Sequence, residues 1–135
     1  MDCDYVDGDH KELSTIALTS SLTSVGAWAF SDSGLTEISV TGVTTIATGV
    51  FNGCYQLGNV ELAYGTTSIG DYAFTGSGIT EITIPKMVTS IGEWAFVSCI
   101  RLADVYYGGT QEEWETIEIK TGNDYLTNAT IHYAQ

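Results

Sequence analysis

The chain repeats itself. Shifted along itself by about 22 residues, four segments fall into line. They are VGAWAFSDSGLTEISV from Val25, IATGVFNGCYQLGNVEL from Ile46, IGDYAFTGSGITEITI from Ile69 and IGEWAFVSCIRLADVYY from Ile91, with a half-unit, LSTIAL, from Leu13. A period of this length marks a stack of supersecondary units, none of which can bury its apolar face alone. Phe30, Phe51, Phe74 and Phe96 recur at spacings of 21, 23 and 22, and Leu35, Leu57, Ile79 and Leu102 at 22, 22 and 23. Length varies only in the connections, where the second and fourth units carry one extra residue between Phe and Leu.

Each unit has two halves. The second, such as LTEISV from Leu35, alternates as a half-buried strand does, so Ile38 and Val40 point inward while Glu37 and Ser39 point out. The first, such as TSIGDYAF from Thr67, reads as a short extended piece followed by one tight helical turn. Gly26, Gly70 and Gly92 allow a bend there, and Ala47 holds the same slot in the second unit. Stacked coils share one core, in which each fully buried Leu, Ile, Val or Phe contributes roughly 1.5–3 kcal/mol.

The pattern I-G-x-x-A-F, a small-residue turn and L-x-x-I-x-I-P resembles the BspA-type leucine-rich repeat of bacterial surface proteins. IGDYAFTGSGITEITIP, Ile69 to Pro85, carries the likeness best, and YYGGTQEEWETIEI from Tyr106 resembles that family's C-terminal closing segment. The slot that holds Asn in classical leucine-rich repeats has Thr41, Ala63, Pro85 and Gly108, which excludes that subtype. The resemblance implies a surface adhesin or a binder of host or extracellular-matrix proteins. The expected fold is a right-handed leucine-rich-repeat β-solenoid with parallel strands, one per coil on a gently concave face, short helical turns and a C-terminal capping helix.

Residues 1–12 read as a flexible acidic arm, and 13–135 as the repeat domain, four coils and a half-coil with 108–135 as its cap. Thr110 with Glu113 forms a capping box for a short helix, Trp114 and Ile117 share one face as a core plug, and TIHY from Thr130 supplies a final strand. The N-terminal acids, Asp2 to Glu12, discourage edge-to-edge pairing, and the lack of an apolar cap at that end suits a fragment of a longer array.

Lys and Arg number 4 against 17 Asp and Glu, a formal charge of −13. That balance argues against nucleic acid and anionic membrane surfaces. It leaves basic proteins or a cation such as calcium as partners, and as the plainer reading mere solubility. No apolar run reaches the roughly 20 residues of a membrane span, and the N-terminus lacks a secretory signal's basic start and apolar stretch. Two compartments stay open: cytoplasmic if Met1 is the native start, or cell surface or secreted by resemblance. A monomer is favoured.

No catalytic constellation emerges, and no cofactor is expected. Cys54 and Cys99 occupy the same slot, three after Phe, as Ser33 and Ser77. They should be buried free thiols, two coils or roughly 10 Å apart and beyond disulfide reach. The histidines, His10 and His132, lie far from both, so no base serves a nucleophile. CDYVDGDH, Cys3 to His10, lacks metal-ligand spacing and reads as a tail. Asn128-Ala129-Thr130 fits an N-glycosylation pattern by chance. Trp28, Tyr72 and Trp94 form an aromatic column that Gly49 breaks, more a shield for the core than a ligand platform.

The outward strand positions are the candidate binding surface. Glu37, Asn59, Glu81 and Asp104 form one column; Ser39, Glu61, Thr83 and Tyr106 form the next. The functional expectation is a non-catalytic module that binds protein through this strip. The alternative is a spacer that extends a larger surface protein and has no ligand.

Overall fold

In the computed structural model, residues 25–134 are described in full and 15–17 by their backbone. The acidic arm, Cys3, His10 and the CDYVDGDH segment lie outside the described residues. The long strands are β1 (Thr15–Ala17), β2 (Glu37–Val40), β4 (Asn59–Leu62), β6 (Glu81–Ile84), β8 (Asp104–Tyr107) and β10 (Thr130–Tyr133). Between them run two-residue strands, β3 (Thr45–Ile46), β5 (Ser68–Ile69), β7 (Ser90–Ile91) and β9 (Glu118–Ile119). Two one-turn helices, α1 (Gln111–Trp114) and α2 (Asp124–Thr127), flank β9. All pairing is parallel, as coils wound in one sense require.

The chain is a parallel β-solenoid, but each coil contributes two strands rather than the expected one. The short extended pieces pair with one another in the order β3-β5-β7-β9. The long strands form two ladders, β1-β2-β4 and β6-β8-β10, so hydrogen bonding is interrupted between β4 and β6. The inward side chains record that interruption. Val60 and Leu62 keep 8% and 9% exposure, whereas Ile82 and Ile84 keep 2% and 0%.

The core is the shared column that the repeat demands. Phe30, Phe51, Phe74 and Phe96 stack ring on ring, with centroids 6.0, 5.3 and 5.2 Å apart, and all four are buried. Leu35, Leu57 and Ile79 are fully buried in the same cluster. The Ser/Cys slot is a packed ladder too. The Cys54 Sγ–H donates to the Phe30 carbonyl at 3.0 Å and lies 3.3 Å from Ser33 Oγ, and Cys99 repeats both contacts with Phe74 and Ser77. Both thiols are free, and burial pushes their pKa above the ordinary 9.0.

The segment around each Phe is not the expected helical turn. Alternate amides face opposite ways. Trp28, Phe30 and Asp32 donate to the carbonyls of Thr48, Val50 and Asn52 in the next coil, while Ala29, Ser31 and Ser33 bond back within their own coil. A helix directs every N–H along its own axis and leaves none for a neighbour. This alternation needs left-handed residues, and each of the four coils has a pair: Trp28 and Asp32, Gly49 and Gly53, Tyr72 and Gly76, Trp94 and Ser98. Bulky aromatic residues are seldom found at positive φ, where strain is of order 1–3 kcal/mol each. Here the inter-coil bonds hold them in place.

Gly70 is required for a different reason than a bend. A Cβ there would lie 2.8 Å from both the Ile46 carbonyl oxygen and the Thr48 nitrogen of the preceding coil. The glycine lets two backbones approach.

Candidate functional site

The long strands set the outward columns. Cα register pairs Glu37 with Asn59, and Glu81 with Asp104, then Ser39 with Glu61, and Thr83 with Tyr106. All eight residues of the strip therefore lie on one face. The ladder runs on past the expected strip, because β10 pairs Thr130 with Asp104 and His132 with Tyr106. His132 is thus a residue of this face, although in the sequence it reads as part of the cap. The alternation of TIHY against DVYY was the signal that could have placed it.

The side chains are partly fixed. The Ser39 hydroxyl donates to Glu61 Oε1 at 2.7 Å across one rung. His132 Nε2 lies 2.9 Å from Asp104 Oδ1, and its ring stacks on Tyr106 with centroids 4.5 Å apart and planes 12° apart. Among the described residues the one Lys or Arg ion pair is Lys86–Glu113 at 3.6 Å, and His132–Asp104 is a hydrogen-bonded contact. Glu37, Glu61 and Glu81 are exposed, and among the described residues none of them is ion-paired.

Where the ladder breaks between β4 and β6, a groove of about 910 Å³ opens, lined by Asn59, Glu61, Thr83, Tyr64, Pro85 and Lys86 among others. Tyr64 stands 81% exposed at its rim. Neither Tyr64 nor Lys86 was legible as a site residue, because both sit in the corner after the strand, where no periodicity marks them.

The aromatic column behaves differently from its sequence reading. Gly49 does not break it. The Trp28 indole lies where a Gly49 Cβ would be and reaches the Tyr72 ring, 6.2 Å away between centroids. Trp94 covers Gly122 of the following coil in the same manner. Each Trp in the slot is followed, one coil on, by a glycine that makes room for it. The rings cover glycine backbone, as a shield does.

At the C-terminal end the capping box forms as expected. Glu113 N–H donates to Thr110 Oγ1, and Thr110 N–H donates to Glu113 Oε1 at 2.9 Å. That bond, chiefly, holds the Glu113 carboxyl below its ordinary pKa. Trp114 and Ile117 are buried, Trp114 edge-on to Tyr107 at 5.2 Å, so the core-plug reading stands.

Among the described residues, no nucleophile is assembled with a base. Cys54 and Cys99 are sealed in the core, and His132 is engaged with Asp104. Among the described residues, no group of three or more His, Cys, Asp or Glu is arranged to hold a metal ion. No helix among them is long and apolar enough to cross a membrane.

The family model for the BspA type leucine rich repeat region matches residues 8–103 in six copies. The chain belongs to the BspA-type leucine-rich-repeat family. Its fold is shared with a leucine-rich repeat protein from Bacteroides capillosus, at 24% identity and a TM-score of 0.59, over 70% of this chain and 77% of that one. A leucine rich cell surface protein of Faecalibacterium prausnitzii is 30% identical, with a TM-score of 0.54, over 75% of this chain and 35% of its own length. The leucine-rich repeat protein of T. pallidum is 24% identical with a TM-score of 0.54, over 68% of this chain and 57% of its own. This BspA-type chain thus spans about a third and just over half of the last two. Among curated proteins, none matches it.

Proposed function

We propose that this BspA-type module is a non-catalytic protein-binding element of a cell-surface protein, and that it engages a host or extracellular-matrix protein through its long-strand face. The observation that carries this reading is the face itself. Two side-chain columns stand in register on parallel strands, several of their members are held by rung-to-rung contacts, and a groove opens among them. Such a surface is rigid before it binds, so association orders little and loses less entropy. Tyr64 and Tyr106 supply exposed aromatic area of the kind that dominates binding energy at interfaces. The surface location is supported by the cell-surface description of the Faecalibacterium prausnitzii relative.

The test is a joint substitution, Glu61→Ala, Glu81→Ala and Tyr106→Ala, assayed on a panel of immobilised extracellular-matrix proteins. Loss of binding by at least about tenfold, equivalent to 1.4 kcal/mol, is expected. Unchanged binding would remove the strand face as the site. Absence of binding by the parent chain across the panel would favour the spacer.

A further inference from the structure

We propose that the Asn52–Gly53 peptide is a latent self-modification site, held shut by the neighbouring coils, at which Asn52 converts to aspartate and isoaspartate whenever the second coil opens. The chemistry needs an asparagine, the backbone nitrogen of the residue after it, and water. That nitrogen gives up its proton and attacks the side-chain carbon Cγ. The Cγ–Nδ2 bond breaks and ammonia leaves. Water then opens the cyclic imide at either of its carbonyls, to aspartate or to isoaspartate. One water is consumed for each ammonia released, and nothing is oxidised or reduced. A side chain on the attacking residue hinders the approach. Asn59, Asn123 and Asn128 precede Val60, Asp124 and Ala129, whereas Asn52 precedes a glycine, which has no Cβ. Asn52 and Gly53 are both half-buried, so neither is sealed from water as the adjoining Phe51 and Cys54 are.

The fold opposes the first step. A trans peptide points its C=O and N–H in opposite directions, and here each is tied to a different coil. The Asn52 carbonyl accepts from the Asp32 N–H of the first coil at 2.7 Å, and the Gly53 N–H donates to the Thr75 carbonyl of the third at 2.8 Å. When a peptide N–H ionises, the electron pair it leaves lies where the hydrogen was. In the folded chain that direction faces Thr75, not the Asn52 side chain. To attack, the peptide plane must turn, and turning it breaks the bonds to both neighbouring coils. Asp32 adds a second obstacle. Its carboxylate fills the space where a Cβ on Gly53 would stand, so negative charge already lies beside the residue that must lose a proton. The clamp holds only while the coils are stacked. Isoaspartate inserts a methylene into the backbone, which shifts the Gly53 amide out of register with Thr75. Reaction in the open state therefore makes that opening irreversible.

For the experiment, the full 135-residue chain is kept in mildly alkaline buffer, either folded or unfolded in guanidinium, and peptide mass mapping follows each asparagine with time. In guanidinium Asn52 should lose its amide before Asn59, Asn123 and Asn128. In the folded chain its loss should be slower by at least about tenfold, which corresponds to 1.4 kcal/mol of opening free energy. Phe74→Leu, which loosens the third coil while keeping it apolar, should move the folded rate towards the unfolded one. The purified isoaspartate product, returned to folding buffer, should melt below Asn52→Asp, which carries the added charge without the added methylene. Equal rates in the folded and unfolded chain, or a Phe74→Leu chain no faster than the parent, would overturn the clamp. Earlier loss at another asparagine in guanidinium, or none at Asn52, would overturn the site. An isoaspartate product that melts together with Asn52→Asp would overturn the irreversible opening.

Discussion

The four inner coils and the segment after Tyr107 build the same turn of the solenoid from different residues. In the inner coils an aromatic ring fills the core, and the amides of the first three, Phe30, Phe51 and Phe74, reach the backbone carbonyls of Val50, Ala73 and Ala95 in the next coil. After Tyr107 no Phe occurs. Yet β9 pairs with β7, β10 pairs with β8, and Gly122 takes the left-handed slot of Trp94. Here the Phe96 amide donates to the side-chain Oδ1 of Asn123 at 2.9 Å. The Asn123 Nδ2 in turn donates to the carbonyls of Gly92 and Lys120 at 3.0 and 2.8 Å. A buried asparagine thus stands in for the backbone that an ordinary coil would present, and uses its acceptor and both donors. The segment expected as a cap carries helices only at its corners and is itself one more coil. The inner coils are held by stacked phenylalanine rings, and the last by one polar side chain together with the buried Trp114, Ile117 and Leu126.

That contrast can be broken from either side. The largest effect is expected in the inner coils. Phe74→Ala removes a ring stacked on both sides and should lower the unfolding free energy by about 3–5 kcal/mol in denaturant titration. Asn123→Leu keeps the branched outline of the side chain but orphans the Phe96 amide and two carbonyls. It should cost about 2–3 kcal/mol, because buried polar groups would lose their partners. Hydrogen exchange should then show amides of β9 and β10 opening while those of β5 and β7 stay protected.

The smallest effect depends on pH. Cys54 and Cys99 lie in inner coils, and burial raises their pKa above 9.0. Unfolded thiols ionise at the ordinary value, so the unfolded state binds fewer protons over the window from about 9 up to the raised values. The stability they contribute is present below that window and lost as pH rises through it. Cys54→Ser with Cys99→Ser, which places in both coils the residue already found at Ser33 and Ser77, should flatten the alkaline fall in melting temperature. The segment after Tyr107 contains no cysteine and should not contribute to that fall.

The sequence was most readable where one physical demand repeats. Phe30 to Phe96 and the Ser/Cys slot recur because every inner coil must fill the same space, and the structure stacks both as expected. The strip could be placed because β-strand alternation fixes which side chains turn outward. The second sheet was hidden, because strands of two residues such as Thr45–Ile46 are too short to show a period. The extra coil was hidden because Asn123 and Asp124 replace Ala-Phe, and polar substitution erases the apolar signature while preserving the backbone path. Trp28 reaching across Gly49 was also out of view, because a missing side chain reads as a gap in a pattern and as space in a structure. His132 entered the face only once β10 was paired with β8.

Ring-to-ring nuclear Overhauser contacts in a protein labelled at phenylalanine alone bear most directly on the stacked interior. The account predicts contacts for Phe30–Phe51, Phe51–Phe74 and Phe74–Phe96, with none between Phe30 and Phe96. Four rings that show exchange with water and no mutual contacts would contradict it.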